Sequence, residues 1–242
     1  MSKTVAILQS SYIPWKGYFD IIAAVDEFVI FDEVQYTRRD WRNRNRIIMN
    51  GVPKWLTIPV ANKGQYDASI KDMHIADRSW AGKHWTSLRH AYGKAPHFAL
   101  YKTAFEAAYE KAADLDLLTE VNVLFLQTIC EILELPARFI HSDEVPRQST
   151  TATQRLVEIC TGSHADAYVS GPAARDYIVR DEFSEAEVAL YYADYSDYPT
   201  YSQGIEPFEH GVSILDTLFH CGPDARLHLK SINEAKTFLQ PG

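Results

Sequence analysis

The stretch Thr4-Val5-Ala6-Ile7-Leu8-Gln9, the loop Ser10-Ser11-Tyr12-Ile13-Pro14-Trp15-Lys16-Gly17 and, after residues 18–24, Glu27-Phe28-Val29-Ile30-Phe31-Asp32 decide the fold. Each outer segment is a short apolar run ending in a polar residue, which predicts a buried strand. Between them Phe19, Ile22 and Ala23 recur at helical spacing. Strand, loop, helix, strand is the order of a βαβ unit, and such units build parallel sheets. In these sheets ligands bind beyond the carboxyl ends of the strands, the edge to which Gln9 and Asp32 are assigned.

Working outward, residues 53–60 read as a third strand or an edge hairpin, and residues 61–75 as loop or short strand. Residues 78–135 form a helical insert: helices over 78–92, 98–113 and 117–133, the first behind Asp77 as N-cap and ended by Pro96. Further strands are expected at 137–140, 167–170 and 188–192. Helices are expected at 149–159, from Gly171-Pro172 through Tyr177, and at 213–219, with an exposed helix after Gly222-Pro223. The fold class is therefore α/β, a parallel-sheet three-layer core with a helical insert, in a single domain over 1–242.

Composition narrows the function. The chain has 242 residues and a net charge of −8, which disfavours stable DNA binding. Cys130, Cys160 and Cys221 show no metal-ligand spacing, none of the nine histidines forms a zinc or triad signature, and no metal site is expected. The N-terminal apolar run is too short for a signal peptide and no run spans a bilayer, so a cytoplasmic location is expected.

Three constellations carry chemistry. In the first, Gly17 lets backbone approach a ligand, and the following helix start favours an anion. The spacing resembles that of nucleotidylyltransferase-like (HUP-like Rossmannoid) folds. Trp15 and Tyr18 stand where two histidines would flank the loop, and neither supplies the cation that adenylyl transfer uses. The second runs from Asp32 through Gln35 to Arg46, with five arginines in nine positions: Arg38, Arg39, Arg42, Arg44 and Arg46. Guanidinium forks suit phosphate, and Trp41 suits a base or sugar face. With Asn43, this pattern fits a nucleotide-sugar diphosphate, a lipid pyrophosphate or a tRNA acceptor end; it also fits a solvated basic loop paired with acids. The third, Ser170-Gly171-Pro172 with Arg175, is a strand entering a small-residue turn. It reads equally as an anion site and as a tight crossover.

The residues Gln9 to Asp20, Phe31-Asp32-Glu33-Val34-Gln35-Tyr36, Arg39 to Arg46, Trp55 to Val60, Ser170-Gly171, and Ser213-Ile214-Leu215-Asp216 with Cys221-Gly222-Pro223 resemble the WbqC-like family along nearly the whole chain. That resemblance implies a setting in O-antigen and other cell-surface polysaccharide biosynthesis, and a glycine-transferase activity. It names no catalytic residue and no cofactor.

Together these readings give a transferase that places a glycyl or other acyl group on an amino sugar carried by a nucleotide or lipid. Gln9, Tyr12, Trp15, Gly17 and Tyr18 shape the pocket. Arg39, Arg42 and Arg44 hold phosphates, and Asp32 positions or deprotonates the acceptor amine. Lys54 steadies an oxyanion, and tRNA enters only as a donor. Two alternatives stay open: an ATP-dependent activating or nucleotidylyl-transferring enzyme, and a non-catalytic sugar-nucleotide-binding protein.

Overall fold

The structure is a computed structural model that describes residues 3–61, 64, 67–136, 138–149, 151–233 and 235–242. Its elements run β1 Thr4–Leu8, α1 Lys16–Ala23, β2 Glu27–Ile30, β3 Arg44–Met49, β4 Val52–Thr57, α2 Trp80–Tyr92, α3 Phe98–Ala112 and α4 Leu118–Ile132. Then follow β5 Arg138–His141, α5 Ala152–Gly162, β6 Ala167–Ser170, α6 Arg180–Glu185, β7 Ala189–Ala193, α7 Ile214–Cys221, α8 Lys230–Asn233, α9 Ala235–Phe238 and β8 Leu239–Pro241. The expected strand start at Ala137 and part of the 61–75 segment lie outside the described residues.

The main sheet has the order β5-β2-β1-β6-β7-β8. Its first five strands are parallel, with Val5 opposite Glu27 and Thr4 opposite Ala167, and only β8 runs antiparallel. Chain order therefore reverses direction between β1 and β6, which opens a crevice at the carboxyl end of β1.

Alternation along the strands builds two layers of packing. Ala6, Phe28, Ile30 and Val169 face a core shared with α1, α2–α4 and α7. Val5, Ile7, Val29 and Tyr168 face the core under α5 and α6. Each fully buried aliphatic or aromatic side chain here contributes about 1.5–3 kcal/mol of transfer free energy. This is the expected three-layer α/β architecture.

Of the two readings of residues 53–60, the hairpin is the one found: β4 pairs antiparallel with β3 in a two-stranded sheet separate from the main one. Its turn is Asn50-Gly51, with φ of 53° and 77°, the left-handed pair of a tight hairpin. The last three residues of the arginine-rich run, Arg44 to Arg46, thus lie in strand β3 rather than in a loop. After Gly171, residues Pro172–Asp176 make a 3-10 turn rather than a helix, and Gly222–His228 does the same.

Candidate active site

The segment that leaves β1 is held by a buried carboxylate. Asp32 accepts from the Ser10 amide (2.7 Å), the Ser10 hydroxyl (2.6 Å) and the Thr119 hydroxyl of α4 (2.6 Å). Asn122 of α4 donates to Ser10 Oγ (2.9 Å) and to the Arg42 carbonyl (3.0 Å). The hairpin then straps the loop from the other side. The Asn45 amide donates to the carbonyls of Tyr12 (3.2 Å) and Ile13 (2.9 Å), and the Tyr12 amide donates to the Arg42 carbonyl (3.2 Å). Ile13 is held at φ 37°, a region that a β-branched residue occupies only under strain. Such strain, of order 1–3 kcal/mol, persists where surrounding bonds over-determine the backbone.

Arg42 turns inward. Its Nη1 donates to the carbonyls of Gln9 (3.1 Å) and Ser10 (3.4 Å), and its Nε lies 3.4 Å from Asp40. The Tyr18 hydroxyl donates to the same Gln9 carbonyl at 2.9 Å. The C-terminal part of the chain closes the far wall. Trp15 packs edge-on against Tyr195 (4.9 Å) and Tyr198 (5.5 Å). Arg46 bonds the Gly211 carbonyl (2.9 Å) and pairs with Glu209 (3.3 Å).

These walls enclose a cavity of about 500 Å³ at the carboxyl end of β1. Gln9, Ser11, Trp15, Tyr18, Trp41, Arg42, Asn45, Tyr195 and His210 line it. Four aromatic rings meet a few hydrogen-bonding groups, the usual make-up of a small-molecule site. Burial and the nearby Lys16 charge lower the pKa of His210, so its imidazole is neutral at pH 7. Burial likewise lowers Lys16 to about 8, against the pull of nearby Cys221, Asp20 and Asp216. The Lys16 ammonium donates to the Pro199 carbonyl (2.9 Å) and sits over the rings of Tyr198 (5.0 Å) and Phe208 (5.4 Å).

Five residues singled out from sequence meet in this cavity: Gln9, Trp15, Tyr18, Trp41 and Arg42. Ser170 and Gly171 face a second cavity, which Gln9 also lines. The others stand elsewhere. Tyr12 is fully buried toward the helical layer, bonded to His84 (2.9 Å) and Tyr109 (2.6 Å). Gly17 lies under the Trp15 indole, which a Cβ would penetrate, so its small size serves packing rather than ligand approach. Asp32 is 2% exposed and spends its oxygens on Ser10 and Thr119, which makes it an anchor of the loop. Asn43 bonds the Ile58 carbonyl (2.7 Å), and Gln35 bridges to Ser69. Lys54 is exposed on β4, outside the cavity, because its strand is on the hairpin and not on the main sheet. Arg44 stacks 4.1 Å over Trp55 and bonds the Arg39 carbonyl, on a different opening from the cavity. Arg175 is exposed and stacks 4.4 Å over Tyr192, away from both cavities.

Sequence reasoning missed Ser11, Asn45, Tyr195 and His210 as wall residues. Asn45 carried a signal, since Asn50-Gly51 marks a hairpin and fixes which β3 side chains face the loop. Tyr195 and His210 arrive from far along the chain, and no local pattern marks them. Among the described residues, no three of His, Cys, Asp and Glu gather into a metal-binding group. No described helix is long and apolar enough to cross a membrane.

The fold is that of an α/β protein, a mostly parallel sheet between helical layers, with a cavity at the carboxyl end of β1. The chain belongs to the WbqC-like protein family, which it matches over residues 9–228. It is 42% identical over 230 residues to an uncharacterized protein, Rv1507c, of Mycobacterium tuberculosis, covering 94% of this chain and 98% of that one. No solved structure matches it.

Proposed function

We propose that this chain is a group-transfer enzyme of O-antigen or other cell-surface polysaccharide biosynthesis. It moves a glycyl or other acyl group onto the amine of an amino sugar carried on a nucleotide or a lipid pyrophosphate. The supporting observation is the cavity whose aromatic walls, Trp15, Tyr18, Trp41 and Tyr195, surround Gln9, Asn45 and Arg42. Aromatic faces suit the C–H surface of a sugar ring, and the amides and guanidinium suit its hydroxyls and an adjoining phosphate.

In this reading the acceptor amine attacks the acyl carbonyl. A C–N bond forms, the bond from the acyl carbon to its carrier breaks, and the amine gives up one proton. His210 takes that proton, because it lines the cavity and is neutral at pH 7. Asp32 acts earlier, by fixing the backbone that carries Gln9 and Ser11. The test is mass spectrometry of nucleotide-linked amino sugars incubated with the protein and a panel of glycyl and acyl donors. A new amide on the sugar, lost in Trp41→Ala and His210→Asn, supports the proposal. Absence of any acylated sugar across the panel, with amino-sugar nucleotides failing to bind, refutes it.

A further inference from the structure

On the opposite side of β1 lies a second cavity, of about 340 Å³, that Gln9, Phe31, Leu156, Ser170, Gly171 and Arg155 help to line. It sits at the crevice between β1 and β6, where chain order reverses and open parallel sheets place ligands. Phe31 and Arg155 also line an adjoining hollow of about 360 Å³, so the two spaces meet at the Arg155 side chain.

Arg155 is the unusual member. Among the described residues its guanidinium makes no hydrogen bond and no ion pair, and its Nε is buried without a partner. Every charged neighbour lining these hollows is engaged. Glu33 pairs with Arg147 and accepts from Ser142 (2.9 Å), and Asp143 pairs with Lys71 (3.2 Å). Glu158 is held by the amides of Gln148 (3.0 Å) and Ser149 (3.1 Å) and by the Ser149 hydroxyl (2.6 Å), and is not part of the wall. The Arg147 charge close by pushes on Arg155 rather than neutralising it. Arg155 also lies in the first turn of α5, Ala152–Gly162, whose positive end adds to the local field. A buried donor left unsatisfied is costly, and an anionic ligand atom at this place removes the cost.

We infer that this second cavity is the binding site of a nucleoside phosphate, with its phosphate on Arg155, its apolar part against Phe31 and Leu156, and its reactive end toward Gln9. The oxyanion follows from the Arg155 Nε left without a partner, and the apolar part follows from Phe31 and Leu156 on the walls beyond it. Because Gln9 lines both cavities, a ligand here approaches one in the first cavity from across β1. The binding claim stands on these observations alone. Only the assignment of the nucleoside phosphate as carrier of the transferred group rests on the function proposed above.

The test is titration calorimetry with ADP and with pyrophosphate at low salt, on the full chain, combined with amide chemical-shift mapping. Saturable ADP binding is expected, with shifts at Gln9, Ser170 and Gly171. Affinity should fall at least tenfold in Arg155→Met, recover in part in Arg155→Lys, and stay unchanged in Arg175→Met. Should Arg155→Met fail to fold, Arg155→Lys and the shift map decide the matter. The inference is overturned if ADP does not bind at millimolar concentration, if Arg155→Met binds it as tightly as wild type, or if the shifts fall elsewhere. A lack of ADP binding leaves transfer from a phosphate-free donor standing, and a lack of transfer leaves ADP binding standing, so the two proposals fail separately.

Discussion

Tyr18 and Arg42 donate to one and the same atom, the Gln9 carbonyl oxygen, at 2.9 and 3.1 Å. One donor comes from α1 and the other from the connection entering the hairpin, so this oxygen ties both cavity walls to the end of β1. Tyr18→Phe leaves Arg42 on that oxygen and should cost about 1 kcal/mol in denaturant unfolding. Arg42→Met removes the charged donor and the Asp40 ion pair, and should cost more than Tyr18→Phe. Equal unfolding midpoints for wild type and Arg42→Met would contradict this joint.

Asp32→Asn separates an anchor from a catalytic base. Asn replaces one acceptor oxygen by a donor, opposite hydroxyls and an amide that now donate to it. A loss of about 3 kcal/mol of stability is expected, since bonds to charged groups are each worth roughly 1.5–3 kcal/mol. A variant with unchanged thermal unfolding and abolished transfer would instead make Asp32 a participant in the reaction.

Gly17→Ala tests the packing under Trp15. The added Cβ falls within the indole, so the ring must leave its place against Tyr195 and Tyr198. Near-ultraviolet circular dichroism should show the aromatic rearrangement, and cavity ligands should bind at least tenfold more weakly. An unaltered spectrum with full binding would contradict it.

Lys16 gives stability a distinctive pH dependence. Its pKa is lowered from 10.5 to about 8 by burial, so between these values the unfolded chain holds a proton that the folded chain has released. Folding stability attributable to Lys16 therefore rises with pH from about 8, and its burial cost is fully present below that. Urea unfolding at pH 7.5 and 9.5 should show wild type gaining on Lys16→Met over this interval. A parallel pH response in the two proteins would sink the prediction.

In the proposed transfer, His210 sets the acid limb of the rate. Its pKa lies below the ordinary 6.5, so the imidazole stays neutral at pH 7 and charges only in more acid solution. The transfer rate should hold through neutrality and fall below pH 6.5, and His210→Asn should lower it by about 10²–10⁴-fold. A rate that falls with a midpoint above pH 7 would exclude His210 as proton acceptor.

Much of this arrangement is legible in the sequence, and the reasons differ by residue. Short apolar runs ending at Gln9 and Asp32 mark strands because burial on both faces demands continuous hydrophobicity. The meeting of Trp15 and Tyr18 with Trp41 and Arg42 follows from the family-length loop motif and the arginine run. Which guanidinium turns inward did not follow. In a strand, alternate side chains face opposite ways, so Arg44 and Arg46 take the Trp55 face of the hairpin while Asn45 faces the loop. Arg42, just before β3, reaches the β1 carbonyls instead. Asp32 reads as exposed chemistry at a strand end, yet Ser10 and Thr119, distant in sequence, consume it.

The most direct test is a crystal structure with a nucleotide-linked amino sugar that the protein binds. The sugar ring should lie between Trp15 and Trp41, with its amine toward His210 and Arg42 beside its hydroxyls or phosphate. A ligand seated elsewhere on the molecule, with the space between Trp15 and Trp41 filled by solvent, would contradict the proposed site.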